Sequence, residues 1–439
     1  MSRAEQTNLL FVHPRTTLTI TMSSVFERRL EACRNHLERV GASLLVCFPS
    51  PNLTYLTGFA ESPSERHLLL FVAQTGDPVL VAPTMYDRQL AALPIDDPAL
   101  EVQLWDDEDD PVELVDAVVE TLLSDVEDAR EATDADAAGP AAADPDAADP
   151  DAVDERSGPT ILVDDRMWAT FSQDLRACAP DATFGLASGV LEELRLQKDP
   201  VELEALRRAG SIADRVSLEI RSRGTELVGT TESELVAEIE RLLAAEGGVE
   251  PAFETIVASG PNGARPHHHS GDREIESGDP IVLDFGAFVD ADLEDGTARY
   301  PGDQTRTIVV GEPSATYTEV HEIVRDAQQA AVEAVEPGAT AGSIDRAARS
   351  VIEDAGYGDA FTHRTGHGVG LEVHEPPYIV ADNERELEPG MVFSTEPGIY
   401  LEDEFGVRIE DLVVVTDDGA ERLNDSPRGW ETGDRYRPT

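Results

Sequence analysis

Four carboxylates and one imidazole in the C-terminal half of the chain have the residue types of a metal site. Asp284 ends the apolar run IVLD, Asp303 lies in GDQTRT, His367 lies in GHGVG, Glu396 lies in FSTEPGIY and Glu410 lies in GVRIEDLVV. Oxygen ligands with a single nitrogen suit divalent ions such as Mn²⁺, Co²⁺ or Zn²⁺. Bridging carboxylates can hold two such ions about 3.5–4 Å apart, close enough to share one activated water. These residue types therefore predict a site for two divalent ions.

Each of these residues also has an ordinary structural explanation when it is taken alone. Asp284 could cap the turn after its strand, and a lone histidine is commonly a buried structural residue. However, His363, His367 and His374 fall in one short segment, and glycines flank His367, which lets backbone approach and leaves room for an ion or ligand beside the ring. A buried carboxylate without a partner is unfavourable, and a metal ion is one such partner. The combination favours a functional site.

Arg408 is placed to hold one of the acids. It precedes Glu410 by two residues in a predicted strand, so both side chains lie on the same face. A guanidinium can hold a carboxylate through two parallel hydrogen bonds. We therefore expect Arg408 to fix the carboxylate of Glu410.

The elements around these residues alternate between helices and strands, which predicts an α/β (α+β) fold. In the first part, a capping box from Ser24 to Glu27 predicts a helix over 24–40. Apolar runs predict strands of a small domain over 43–48, 68–73, 79–82 and 161–165. From about residue 187, helices and hairpins follow one another twice, which predicts two related halves that meet at a cleft.

The acidic segment 125–156 interrupts this pattern. It is rich in aspartate and alanine and has no aromatic residue, so it predicts a disordered insertion and a stretch of helix that ends near 123. The expected organisation is an N-terminal domain over 22–185 containing that insertion, and a C-terminal domain over 187–425. Residues 1–21 form a tail or a mis-assigned start before Met22, and a C-terminal tail covers 426–439.

The charge of the chain excludes some classes of function. The formal net charge is −54, and Lys198 is the only lysine among 34 basic residues. Such a composition is typical of proteins adapted to high salt, where repulsion is screened; the alternative is an acidic protein without that adaptation. Because no basic stripe could meet phosphates, nucleic-acid binding is disfavoured. No apolar run approaches the ~18–20 residues of a membrane span, and three cysteines without a CxxC pair favour a reduced, cytoplasmic protein.

Five segments resemble the ligand blocks of the pita-bread metallopeptidases, which include Xaa-Pro aminopeptidase, Xaa-Pro dipeptidase (prolidase) and methionine aminopeptidase. They are DFGAF, GDQTRTIVV, HRTGHGVGLEVHEPPY, FSTEPGIY and GVRIEDLVVV. The resemblance implies that two metal ions are bound by Asp284, Asp303, His367, Glu396 and Glu410. Mn²⁺ is the expected metal, with Co²⁺ and Zn²⁺ as the alternatives. The same resemblance implies that Asp303 and Glu410 bridge the two ions.

The resemblance also implies roles for four other residues of the same half. His267 and His374 match pocket histidines that stabilise the oxyanion, while Glu396 carries a proton between water and the leaving nitrogen. His363 and Arg408 are expected to bind substrate. The spacing of 19 residues from Asp284 to Asp303 is longer than is usual in the family and implies an inserted hairpin loop.

The segment NLTYLTGF, over residues 52–59, resembles the creatinase/prolidase-type N-terminal domain, which favours the Xaa-Pro branch because methionine aminopeptidases lack it. The implied activity is hydrolysis of the bond before proline, at the N-terminus of peptides or in dipeptides, by a homodimer. Alternatives are a creatinase-like or lyase enzyme of the same fold and a non-catalytic peptide-binding module; the intact ligand set argues against a creatinase and against the binding module. A dipeptidase needs a cation for the free C-terminal carboxylate, but Tyr378 follows HEPP, so the sequence leaves that choice open.

Overall fold

The protein has an α/β fold with a smaller N-terminal and a larger C-terminal domain. The computed structural model describes residues 24–95, 99–137, 158–293 and 296–433. The tail expected over 1–21 and the part of the acidic insertion from 138 to 156 lie outside the described residues. Within the described ranges, no helix combines the length and apolar character that crossing a membrane requires.

A six-stranded sheet forms the centre of the N-terminal domain, in the order β4-β3-β2-β1-β5-β6. Its strands are β1 (Leu44–Cys47), β2 (Leu69–Ala73), β3 (Val79–Pro83), β4 (Glu101–Trp105), β5 (Thr160–Val163) and β6 (Thr183–Leu186). The helices are α1 (Val25–Val40), α2 (Pro51–Thr57), α3 (Asp87–Leu90), α4 (Pro111–Ala137), α5 (Ala169–Cys178) and α6 (Ser188–Leu196). Helices α1, α2 and α6 cover one face of the sheet, while α4 and α5 cover the other.

The helix predicted over 24–40 is confirmed as α1, together with its capping box. The Ser24 side chain accepts from the backbone N–H of Glu27, and the Glu27 carboxylate accepts from the backbone N–H of Ser24 at 3.0 Å. Gly41 ends the helix with a φ of 69°, a left-handed conformation that glycine adopts without strain. Local sequence alone therefore sets both ends of this helix.

The prediction of disorder from residue 125 is wrong for residues 125–137, which continue helix α4. Val126 is only 1% exposed and extends the buried stripe formed by Val115, Val119 and Leu122. Asp125, Glu127, Asp128 and Glu131 are exposed, and Arg130 donates a hydrogen bond to Gln74 on the sheet side at 3.3 Å. Alanine and glutamate are strong helix formers, so the helix continues to residue 137 although Val126 is the only valine of the extension.

Helix α6 also belongs with the N-terminal domain. Ala187, Val190 and Leu191 are fully buried in the core formed by α1, α2 and the sheet. Leu194 still packs against this core, whereas Leu196 belongs to the core of α9 and α10, so the break lies between them, later than the boundary expected at 185–187.

The C-terminal domain consists of two halves, as predicted, each with a pair of helices packed on strands. The helices are α7 (Pro200–Arg223), α8 (Glu232–Ala245), α9 (Ala315–Glu333) and α10 (Ala341–Asp354). The strands of the first half are β7 (Glu250–Pro251), β8 (Ile256–Ser259), β9 (Pro280–Phe285), β10 (Ala287–Leu293), β11 (Gly296–Pro301) and β12 (Gln304–Val309). Those of the second are β13 (Gly366–Gly368), β14 (Glu375–Ile379), β15 (Val392–Thr395), β16 (Gly398–Leu401), β17 (Phe405–Arg408), β18 (Asp411–Thr416) and β19 (Gly419–Arg422).

Two apolar cores support the C-terminal domain, and strands β15 and β18 contribute residues to both of them. One core joins α7 and α8 to β9 and β10, and the other joins α9 and α10 to β15 and β18. The first half has the sheets β12-β9-β8 and β11-β10-β7, and the second has β14-β13-β15-β18-β19 and the pair β16-β17. Polar residues next to the strand ends of the two halves, Asp303, Glu396 and Glu410, line one cavity.

The hairpin insertion implied between Asp284 and Asp303 is confirmed, and most of its acidic segment is itself paired as strands β10 and β11. Strands β10 and β11 pair from Phe288 with Pro301 to Leu293 with Gly296, and β10 also pairs with β7. Val289, Ala291 and Leu293 point into the core, whereas Asp290 is exposed. This alternation is that of a half-buried strand, and it was masked in the sequence by the density of acids.

The C-terminal tail expected from residue 426 is part of the fold as far as residue 433. The buried Arg221 donates to the carbonyl of Pro427 at 2.7 Å and to that of Glu431 at 3.1 Å. The backbone N–H of Val309 donates to the carbonyl of Trp430 at 3.0 Å. These contacts attach the end of the chain to α7 and β12.

The docked extension of α4 gives a testable prediction. Val126→Ala should lower the free energy of unfolding by about 1–3 kcal/mol, because it removes two buried methyl groups and leaves a cavity. The neighbouring exposed Glu127→Ala should change it by no more than about 0.5 kcal/mol. Urea unfolding at molar KCl measures both variants, and equal effects would show that α4 does not dock beyond Leu122.

Candidate metal centre

Strand pairing brings the first two acids together. Antiparallel pairing of β9 with β12 places Asp284 opposite Thr305, and Asp303 lies immediately before β12. The second half of the domain is joined here, since the backbone N–H of Glu410 donates to the carbonyl of Thr305 at 3.1 Å. His367 is the central residue of the short strand β13. The acids of the first half therefore face ligands from the second.

Glu396 and Glu410 occupy places where strands stop. Glu396 follows β15 directly, and its backbone N–H donates to the carbonyl of Thr365 at 2.7 Å. Glu410 lies in the break between β17 and β18, whereas the sequence predicted one continuous strand there. A residue at such a break is free of the strict in-and-out alternation of a strand, so its side chain can turn toward the cleft.

All nine residues predicted for the site line one cavity of about 540 Å³. They are His267, Asp284, Asp303, His363, His367, His374, Glu396, Arg408 and Glu410.

Three of these residues form the tightest group. Asp303, His367 and Glu410 are buried, and one ligand atom from each lies within 4.8 Å of the others. The His367 Nε2 atom is 3.8 Å from Asp303 Oδ2 and 3.3 Å from Glu396 Oε1. These residues could hold a metal ion.

Burial and mutual repulsion make the charged form of this cluster unfavourable. Burial, followed by the charges of Asp284 and Glu396, raises the pKa of Asp303 well above its usual range. The pKa of Glu410 is raised for the same reasons, with Asp303 as its main charged neighbour. Burial and then Asp284 raise the pKa of Glu396 to about 7, although Arg408 opposes this rise.

Arg408 binds Asp284, not Glu410 as the sequence suggested. Its Nη2 atom donates to Asp284 Oδ2 at 2.6 Å, its Nη1 donates to the Tyr400 hydroxyl at 2.9 Å, and its Nε donates to Thr305 Oγ1 at 3.0 Å. Glu410 instead accepts from Thr305 Oγ1 at 2.6 Å. The prediction failed because the strand ends at Arg408, so the two side chains do not share a face.

His367 presents a neutral nitrogen to the acids. Burial, followed by the charge of His374, lowers the pKa of its imidazole to about 3. Its Nδ1 atom is 3.2 Å from the carbonyl oxygen of Gly368, which requires the ring proton to be on Nδ1. The Nε2 lone pair then faces Asp303 and Glu396. A neutral imidazole oriented in this way is the usual form of a metal-binding histidine.

The donor set fits divalent metal ions. Four carboxylates meet in one cavity, and Arg408 pairs directly with only one of them. The Asp284 Oδ1 atom is buried and has no hydrogen-bond partner among the described residues. A buried carboxylate oxygen without a donor is unfavourable unless a cation approaches it. Oxygen-rich ligands with one imidazole are suited to Mn²⁺, Co²⁺ or Zn²⁺.

The other three histidines of the cavity differ in their exposure and in the contacts of their rings. Both ring nitrogens of His363 are engaged, Nδ1 at 2.7 Å from the carbonyl of Arg364 and Nε2 at 2.9 Å from the Tyr400 hydroxyl. His374 is exposed toward the same cavity, with its ring centroid 4.1 Å from that of His367. His267 lines the same cavity and is exposed.

A buried ionic cluster that the sequence did not reveal holds the residue after His374. Glu375 is 4% exposed and accepts from Lys198 Nζ at 2.7 Å and from Arg195 Nη2 at 2.5 Å. Burial opposes the charge of Glu375, but Lys198 and Arg195 outweigh it and lower its pKa. The only lysine of the chain is therefore buried beside the candidate site. In the sequence, the only indication that Lys198 has a special role was that it is the single lysine.

The same cluster connects the two domains. Arg195 donates to Asn52 Oδ1 at 2.8 Å and to Glu372 Oε2 at 2.9 Å, and Arg166 also pairs with Glu372. Lys198 completes its coordination with the carbonyls of Arg195 and Leu196. The compact ammonium donates in three directions here, which a planar guanidinium does not do.

The cluster gives a second prediction. Lys198→Met should destabilise the protein by about 3–5 kcal/mol, since a buried carboxylate loses one of its two cationic partners. The matched control is Arg207→Met, which breaks a partly exposed pair with Glu421 and should change stability by about 1 kcal/mol or less. Unfolding in urea measures the free energy of unfolding of both variants. Equal decreases would show that the buried Lys198–Glu375 pair contributes no more to stability than the exposed pair.

The raised pKa values predict that metal binding releases protons. In the metal-free protein at pH 7, Glu396 is partly protonated because its pKa is about 7, and the raised pKa values of Asp303 and Glu410 act in the same direction; a divalent cation displaces such protons. Affinity for Mn²⁺ should therefore rise with pH through neutrality. Calorimetric titration with Mn²⁺ in two buffers of different ionisation enthalpy measures the release. Identical apparent enthalpies in both buffers would show that the cluster is already ionised.

Comparison with known proteins agrees with this geometry. The profile of metallopeptidase family M24 matches residues 204–417, and that of the creatinase/prolidase N-terminal domain matches residues 29–197. A probable dipeptidase PepE of Mycobacterium tuberculosis is 38% identical over 407 residues, which are 92% of this chain and 96% of that protein. An Xaa-Pro dipeptidase of Lactobacillus delbrueckii subsp. lactis is 34% identical, covering 89% of this chain and 95% of the relative.

Solved structures show the same relationship. The prolidase from Thermococcus sibiricus superposes with a TM-score of 0.78 at 34% identity, and the match covers 94% of this chain and 100% of the prolidase. Because both domains and nearly the full lengths of these relatives are matched, the chain belongs to metallopeptidase family M24.

Proposed function

We propose that this protein hydrolyses the peptide bond that precedes proline, with two divalent metal ions held by Asp284, Asp303, His367, Glu396 and Glu410. The observation that carries the proposal is the convergence of four carboxylates and one neutral imidazole on a single cavity. The specificity for proline rests on relatives named Xaa-Pro dipeptidase and prolidase.

In this proposal Asp303 and Glu410 bridge the two ions. They are the two acids whose pKa is raised well above the usual range, and both are within reach of His367. Divalent ions in such a site polarise the substrate carbonyl and activate a water molecule at neutral pH. Thr305 and Arg408 hold Glu410 and Asp284 in place through hydrogen bonds of 2.6 Å each.

We assign proton transfer to Glu396. Its pKa of about 7 lies where a general acid–base group is most effective, and its Oε1 atom accepts from Ser394 Oγ at 3.2 Å. From its place after β15 it can take a proton from water and pass it to the leaving nitrogen of proline.

We assign stabilisation of the developing oxyanion to His374, assisted by His267. Burial lowers the pKa of His374, so its ring is neutral and donates one N–H into the cavity. Arg408 is occupied by Asp284, Thr305 and Tyr400, which supports a positioning role more than direct contact with substrate. His363 lines the same cavity, and its contact with the Tyr400 hydroxyl orients its ring, which supports a role in binding substrate.

Three finer features belong to the same proposal. We propose Mn²⁺ as the metal, a homodimer as the assembly, and a cytoplasmic protein adapted to high salt. The supports are the oxygen-rich ligands, the resemblance to the pita-bread family, and a net charge of −54 with a single lysine.

The test is product analysis at molar KCl with Mn²⁺. Free proline should appear from Ala-Pro, whereas Ala-Ala should be cleaved at least about tenfold more slowly, and chelation with EDTA should stop both reactions. His374→Ala should lower kcat by roughly 10²–10³, the range for loss of one oxyanion donor, and leave the metal content unchanged.

Two outcomes would contradict the proposal. Equal cleavage of Ala-Ala and Ala-Pro would remove the specificity for proline. Loss of metal from His374→Ala would make that histidine a ligand.

A further inference from the structure

Two arginines line the cavity, and only one of them is paired with a carboxylate. Arg408 is buried and committed to Asp284. Arg364 is half-buried, and no ion pair joins it to a carboxylate among the described residues. In a chain with 88 acidic residues, a cation that faces a cavity without an acidic partner is available for a ligand.

Strand pairing places Arg364 beside Tyr378. The backbone N–H of Thr365 donates to the carbonyl of Ile379 at 3.0 Å, and Gly366 pairs with Ile379 across β13 and β14. As a result, the guanidinium carbon of Arg364 lies 4.5 Å from the centroid of the Tyr378 ring. Tyr378, the residue after HEPP, thus provides an aromatic ring, and Arg364, just before the neighbouring strand β13, provides the cation.

Contact through an aromatic face leaves the hydrogen-bonding edge of a guanidinium free. A cation–π contact engages the flat side of the group, so its N–H donors remain available in the plane. Two parallel N–H groups match the two oxygens of a carboxylate. The Arg364 guanidinium contacts the Tyr378 ring and forms no hydrogen bond with the other described residues, so its N–H donors are available to a ligand.

Arg364 is also close to the residues proposed to act on the scissile bond. Its charge is the largest influence after burial on the pKa of His374, which it lowers. It also acts on Glu396 and His367. A carboxylate bound by Arg364 would consequently lie next to the attacked carbonyl.

The covalent structure of a dipeptide requires this proximity. In Xaa-Pro, a single Cα atom separates the scissile nitrogen from the terminal carboxylate carbon. In a longer peptide or an amide, the same position holds a neutral carbonyl and gives the guanidinium no anion. A site built for a charged group rejects an analogue that leaves its own polar group unpaired.

We propose that Arg364, braced by Tyr378, binds the C-terminal carboxylate of the substrate and makes the enzyme a dipeptidase. The inference rests on the proposed function and adds the length of the substrate and the residue that reads it. Arg364 is a specificity-determining residue in this account, and Tyr378 is a positioning residue.

Binding of an uncleavable ligand tests the inference without turnover. The probes are the reduced-bond dipeptide Ala-ψ(CH₂–N)-Pro and its C-terminal amide, titrated calorimetrically into the Mn²⁺-loaded protein at molar KCl. The acid should bind at least about tenfold more tightly than the amide. Arg364→Met should abolish this difference by weakening the acid alone, and the metal content should stay unchanged.

Kinetics and matched variants complete the experiment. Wild-type kcat/KM should be at least about tenfold higher for Ala-Pro than for Ala-Pro-Ala, mainly through KM, and Arg364→Met should equalise the two. Tyr378→Phe should preserve the preference, because it keeps the aromatic face, whereas Tyr378→Leu should reduce it. The charge-matched control is Arg325→Met at an exposed position on α9, which should leave the preference unchanged.

Failure of this inference can be distinguished from failure of the proposed function. Equal affinity of the wild type for acid and amide, or an equal loss of both in Arg364→Met, would overturn the role of Arg364 even if Ala-Pro is cleaved. Absence of Ala-Pro cleavage together with discrimination between the two probes would overturn the proposed reaction and support the carboxylate site.

Discussion

Repulsion between buried carboxylates is the constraint on which this structure depends. Asp284, Asp303, Glu396 and Glu410 are brought into one cavity, and burial together with mutual charge makes the ionised forms of Asp303, Glu396 and Glu410 unfavourable. Arg408 offsets only part of this charge, since its direct ion pair is with Asp284 alone. A cation that binds only the folded protein would stabilise it through the same contacts that create the reactive site. Stability and function are therefore linked at this cavity.

The rest of the fold keeps these acids in place against their repulsion. Each acid lies at the end or the edge of a strand whose apolar side belongs to one of two cores. Thr305 joins the halves, because it receives the backbone N–H of Glu410 and donates to its side chain. The ionic cluster of Lys198, Arg195 and Glu375 fixes the start of β14, directly after His374, and reaches the N-terminal domain at Asn52. Residues of both domains therefore fix the position of His374.

The sequence predicted the local features and the members of the site, but not their partners. The capping box of α1 and the two-half architecture follow from short-range patterns, and the nine cavity residues follow from motifs that resemble a known family. The partner of Arg408 and the docking of Val126 depend on contacts between segments far apart in the chain. No periodicity in the sequence encodes which carboxylate an arginine meets. The aromatic contact of Arg364 was hidden for the same reason.

The most direct test of this account is an anomalous difference map from crystals grown with Mn²⁺ at high salt. The account predicts two peaks in the cavity, about 3.5–4 Å apart, with the carboxylates of Asp303 and Glu410 between them. It also predicts that Asp284 Oδ1 becomes a ligand, while Oδ2 keeps its contact with Arg408. A single peak, or peaks that leave Asp303 or Glu410 uncoordinated, would contradict the claim that two cations relieve the repulsion of the cluster.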